Sequence, residues 1–216
     1  MKHSKLSILL GLIIAYFLLK HVIPFGYYVI YPINLFVTFL HEFGHAFFAL
    51  LTGGSVLEVQ INSDGSWLAT TAGWWRTFVL MWGYIGSAIF GNLLLRIWLK
   101  DKGNISEKIL YFLAGLLVVV WTIWFSSILS FIILLLLAGG IAVLAKYTSY
   151  DKIILQFLWV ASVLFIIEDF NVWPSSDLSK FSEIFIFIPQ SVWMIVWLLI
   201  VIIITVINLK TIKFKK

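Results

Sequence analysis

Between Ser127 and Leu144 the chain reads SILSFIILLLLAGGIAVL, without a single charged side chain. A run this apolar approaches the roughly 20 residues that carry a helix across a bilayer. Similar runs lie near Leu6 to Ile23, Pro32 to Leu51, Thr77 to Leu99, Ile109 to Phe125, Ile153 to Ile167 and Pro189 to Ile207. Inside lipid a segment must satisfy its own backbone polar groups, so runs of this length read as helices. Of 216 residues, 62% are hydrophobic and 12% charged, and no polar stretch is long enough to supply a separate soluble domain. The expected fold is an all-α integral membrane protein, a polytopic bundle of six or seven transmembrane helices forming one domain over residues 1–216. The count turns on Phe125 to Ser130, where a few serines separate two apolar runs that could pair as a tight hairpin.

The chain has no cysteine, which removes disulfides, thiol nucleophiles and cysteine-ligated metals together. Its net charge of +5 comes largely from Lys2 and Lys5, from Arg96, Lys100, Lys102 and Lys108 around one connection, and from Lys210, Lys213, Lys215 and Lys216. Basic residues at the ends of apolar spans suit the headgroups of a lipid bilayer and not nucleic acid. The first run follows a basic start, as in a signal peptide, but no A-x-A-like cleavage site succeeds it, and it reads as a retained anchor. With seven spans the positive-inside rule leaves the N-terminus outside, although Lys2 and Lys5 oppose that placement; six spans reverse it. Oligomeric state has no signature in the sequence.

Pro32 suits the first turn of the second helix, and Gly53-Gly54 suits its end. HEFGH, His41 to His45, therefore lies on a helix at membrane depth. VLEVQI follows, with Leu57, Val59 and Ile61 alternating with Glu58 and Gln60, then NSDG with its Asp64-Gly65 turn signal, then SWLATT. That pattern predicts one short β-hairpin after the second helix.

Residues four apart share a helix face, so His41 and His45 can reach one metal ion. Glu42 stands about 100° further round, near enough to contact a water on the metal without ligating it. A metal of this kind makes water acidic, and a neighbouring carboxylate takes the proton as water attacks a polarised carbonyl. Lone buried histidines are usually packing residues. Three ionisable groups together at membrane depth are not, because each charged residue there costs roughly 2.5–3.5 kcal/mol.

With LLTGG downstream, His41-Glu42-Phe43-Gly44-His45-Ala46 resembles the site-2 protease superfamily of intramembrane zinc metallopeptidases, in its compact B-like bacterial branch. The resemblance covers most of the chain. The hairpin is similar to that superfamily's membrane-associated hairpin, whose edge is thought to present an extended substrate strand. GYIGSAIFGN, Gly83 to Asn92, resembles the small-residue helix with a downstream asparagine beside the metal helix. NVWPSSDLSKF, Asn171 to Phe181, resembles the segment in which an Asn-x-x-Pro element precedes a ligand aspartate. The residues supply their own reasons as well. Gly83, Ser87 and Gly91 form a small-residue stripe that permits close helix approach, and a free strand edge can hold a substrate by strand addition.

The resemblance implies zinc (Zn2+), with His41 and His45 as ligands, Glu42 as the catalytic carboxylate and a membrane protein as substrate, in a multi-pass protein of the bacterial cell membrane. A catalytic zinc commonly has three protein ligands. Asp177 is the first candidate for the third, since it follows Asn171 and Pro174, although Leu178-Ser179 replaces the superfamily's Leu-Asp-Gly continuation and the spacing is shorter. Asp177 also suits a helix N-cap. Glu168 and Asp169, closing the run VASVLFII, are the rivals, whereas Asp64, Asp101 and Asp151 read as turn or interface residues. His3 and His21 match no ligand position. The leading function is a zinc-dependent intramembrane endopeptidase; an inactive relative serving as a membrane chaperone or interaction partner is the alternative. Four histidines are too few for a di-iron oxygenase, and no paired interrupted helices mark a transporter.

Overall fold

A computed structural model describes residues 5–62, 66–100, 104–147, 150–169 and 176–210. Helices stand at all seven expected places: α1 Lys5–Phe17, α2 Gly26–Leu51, α3 Arg76–Lys100, α4 Ile105–Ile123, α5 Ile128–Tyr147, α6 Asp151–Asp169 and, after a short α7 at Asp177–Ile184, α8 Gln190–Lys210. A hairpin of β1 (Ser55–Ile61) and β2 (Trp67–Ala72) follows α2. Five helices, α2, α3, α4, α5 and α8, are long and apolar enough to cross a membrane. The apolar stretch Ser7–Val22 is shorter, and α6 carries Asp151, Lys152, Glu168 and Asp169 at its ends. The protein is an integral membrane protein. Exposed Leu, Ile, Val and Phe cover α4, α5 and α8, as a lipid-facing surface requires.

Three local expectations are corrected. Pro32 does not start α2; it lies inside a helix that begins at Gly26. The chain turns into α2 at Phe25, whose φ of 63° is left-handed, and Gly26 sits against the backbone of Leu19, where a Cβ would come within 3.0 Å of Leu19 Cα. Junction geometry therefore sets the helix start two turns before the proline. Leu57 does not share a face with Val59 and Ile61. A bulge between Val56 and Glu58 turns it outward, 62% exposed, while Val59 and Ile61 are buried. The cap of α7 is Ser176, whose hydroxyl accepts from the Ser179 N–H at 3.1 Å, so Asp177 is not the capping residue. The Asp64-Gly65 turn, His3, Asp101, Asn171 and Pro174 lie outside the described residues.

Two packing devices fix the site. Gly44 on α2 faces the backbone of Trp82 and Gly83 on α3, and Gly86 lies 3.1 Å, measured to an added Cβ, from Gly44 Cα. Small residues on both helices thus bring them to near backbone contact. Further along α3, Asn92 accepts from Trp159 Nε1 on α6 and from Asn208 Nδ2 on α8, at 3.4 and 2.9 Å, tying three helices through a buried polar network. Asn92 therefore joins α3 to α6 and α8.

The hairpin's two edges have different fates. On β1, the Val59 carbonyl accepts from Ser126 at 2.9 Å, and both backbone groups of Ile61 meet the Ser130 hydroxyl at 3.0 and 3.3 Å. The α4–α5 connection and the first turn of α5 thus seal that edge. The β2 edge faces α2 and a cavity.

Candidate metal centre

His41 and His45 leave α2 on one face, and α7 brings Asp177 up to them across more than 130 residues of sequence. His41 Nε2 and His45 Nε2 are 3.1 Å apart, and Asp177 Oδ2 lies 3.1 Å from the first and 2.9 Å from the second. The histidines are buried, at 7% and 5% exposure. Three candidate donor atoms therefore form a nearly equilateral triangle. Around a tetrahedral ion with bonds of about 2.0–2.1 Å, donor atoms stand roughly 3.3 Å apart, so the spacing fits a single ion of zinc size.

Hydrogen-bond roles lead to the same conclusion. The carbonyl of Val79 on α3 can only accept, and it lies 2.7 Å from His45 Nδ1, so that nitrogen carries the proton. In the neutral ring His45 Nε2 is then a lone pair, aimed at a carboxylate oxygen that is also a lone-pair site. Two lone pairs 2.9 Å apart need a proton or a metal ion between them, and His41 Nε2 completes a triangle of the size that one metal ion fills.

Two further contacts shape the centre. Glu42, 8% exposed, turns from the triangle towards β2, where its Oε2 accepts from the Ala69 N–H at 2.7 Å. His41, Glu42 and His45 place candidate ligand atoms within 4.8 Å of one another. The glycine of the α3 stripe nearest the centre is Gly83, where an added Cβ would lie 2.6 Å from His41 Nε2 and 2.5 Å from His45 Cε1. Only a glycine fits there. Tyr84 stands edge-on to His41, with ring centroids 4.7 Å apart.

Of the two rivals for the third position, Glu168 is engaged elsewhere. Glu168 accepts from Tyr16 at 3.1 Å, pairs with Lys20 and lies 3.3 Å from His21, in a cluster joining the start of the chain to α6. Asp169 ends α6, and its side chain is outside the described residues. Val79 and Ala69 escaped sequence reasoning because they act through a carbonyl and an N–H, which no side chain advertises.

Beside the triangle lies a cavity of about 410 Å³, walled by residues 68–73 of β2 and its exit, with Glu42, His45 and Asp177 at its base and Arg76 and Lys180 also on its lining. A buried histidine pair, an acid from another helix and an open cavity thus meet at one place in the bundle. The family model for Peptidase M50B-like proteins matches residues 8–208, and the chain belongs to that family, within the site-2 protease superfamily. It is a peptidase of the membrane. No curated protein and no solved structure matches it.

Proposed function

We propose that the chain is a zinc-dependent endopeptidase, one membrane domain over residues 1–216, that cuts a membrane protein in or near a transmembrane segment. The triangle of His41 Nε2, His45 Nε2 and Asp177 Oδ2 carries the reading, since three candidate donor atoms converge at the spacing that one metal ion needs. His41, His45 and Asp177 would hold the ion, and Val79 fixes the His45 tautomer that ligation needs. When bound, zinc supplies Lewis acidity towards a carbonyl and towards water.

The remaining steps belong to the protein. Glu42 takes the proton from the attacking water and returns it to the leaving amine. Its carboxylate is held for that task by Ala69, so the hairpin positions the base. A helical amide in lipid is already hydrogen-bonded, so the substrate must be drawn out as an extended strand before attack. With β1 sealed by Ser126 and Ser130, β2 offers the edge, and it lines the cavity beside the triangle. Apart from the Ala69 N–H that Glu42 takes, such an edge is tolerable at membrane depth because it borders a cavity that can hold water.

The test is Glu42→Gln in full-length protein reconstituted with a single-span model substrate. Cleavage should fall about 10²- to 10⁴-fold, the range a general base contributes, with zinc still near one per chain. A variant that cuts at the parental rate would overturn the assignment of Glu42.

A further inference from the structure

Two cations of the cavity play no part in holding a metal or moving a proton. Lys180 lies one helical turn after Asp177 on α7, on the same face, and Arg76 opens α3 one turn before Val79, whose carbonyl orients His45. Both line the cavity that contains Glu42, His45 and Asp177. Among the described residues neither forms an ion pair: the carboxylate of Asp177 is turned to the two histidines, and that of Glu168 belongs to the Lys20 cluster. Glu58, on the sealed strand, accepts from Thr70.

The charge balance then favours one kind of ligand. A divalent ion offsets Asp177 and Glu42, which leaves the cavity with the two positive charges of Arg76 and Lys180. Its remaining wall, Leu68 to Gly73, is uncharged. We propose that Arg76 and Lys180 form a carboxylate subsite that selects peptides with an acidic side chain or a free C-terminus close to the cut. Lys180 starts about 4.5 Å along its helix from Asp177, and an extended peptide advances about 3.3 Å per residue. The carboxylate therefore lies within about three residues of the scissile bond. This subsite rests on the peptidase reading and names the substrate chemistry for it.

The probe is a set of labelled extended peptides that differ by Glu, Gln or Lys at each position, with the C-terminus free or amidated. Binding is measured by fluorescence anisotropy to full-length, zinc-loaded Glu42→Gln protein in phosphatidylcholine nanodiscs, so that nothing is consumed. Acidic peptides should bind about tenfold tighter than their neutral isosteres, as two partly exposed ion pairs allow. A loss confined to Glu→Gln assigns the side chain, and one confined to amidation assigns the chain end. The discrimination should vanish in the double variant Arg76→Gln/Lys180→Gln, and Arg76→Glu/Lys180→Glu should prefer the Lys peptides, with zinc content showing that each variant is folded. Equal binding of acidic and neutral peptides, no binding of acidic ones, or discrimination that survives the double variant overturns the subsite. So does an added phosphatidylglycerol fraction that abolishes the preference, for then the two cations serve lipid phosphate. Parental protein that binds with this preference yet cuts none of the peptides breaks the peptidase reading alone; cleavage without preference breaks the subsite alone.

Discussion

Among the described residues two clusters combine histidine with a carboxylate, and in only one of them is the acid paired with a lysine. Around Glu168 the chain supplies Lys20 alongside His21 and Tyr16, so the carboxylate is neutralised from within, and its side chain is 25% exposed. Around Asp177, which is 21% exposed where it borders the cavity, the chain supplies two buried imidazoles, one of them fixed by Val79 with its lone pair inward. A carboxylate with lysine makes a complete ion pair, while a carboxylate with lone pairs is complete only with a metal. Histidine and acid in proximity therefore do not mark a metal site; the direction in which their lone pairs point does.

The comparison breaks most readily at Asp177. Asp177→Asn keeps the side chain's shape and removes its charge, and zinc affinity should fall by more than the roughly 10- to 100-fold that loss of an outer partner costs. Equilibrium dialysis against a zinc indicator reads it, with cleavage of the model substrate falling in parallel. Gly83→Ala comes next. Its Cβ would overlap both imidazoles, so either the rings rotate from the triangle or α2 and α3 part, at about 1–3 kcal/mol. Thermal unfolding in detergent and zinc content should both drop. Gly115→Ala and Gly139→Ala meet no atom within 4 Å and should be neutral or stabilising by up to about 1 kcal/mol. Glu168→Gln should leave zinc content unchanged and cost at most about 1 kcal/mol in unfolding as the pair with Lys20 goes.

How far the sequence revealed this follows from the range of each signal. The helices were legible because apolar run length is a local property, and the hairpin was legible from alternation and NSDG. The pairing of His41 with His45 was legible because four residues is one helical turn. The start of α2 was not, since Phe25 and Gly26 answer to the backbone of Leu19 and not to Pro32. Leu57 broke its alternation through a bulge that pairing geometry imposes. Asp177 and Glu168 looked alike as acids near helix ends, and only tertiary packing places one beside α2 and the other beside Lys20. Small residues at Gly83 announced a close approach without saying that histidines stand opposite. The sealing of β1 by Ser126 and Ser130 was hidden in a connection that looked like a mere break between spans.

Zinc-edge X-ray absorption on the purified, zinc-loaded chain tests the central claim most directly. Two imidazole nitrogens and a carboxylate oxygen are expected at about 2.0–2.2 Å, with an oxygen contribution altered in whatever zinc Asp177→Asn retains and a spectrum unchanged in Glu168→Gln. A first shell that is the same with and without the Asp177 carboxylate, or one that changes when Glu168 is replaced, would contradict it.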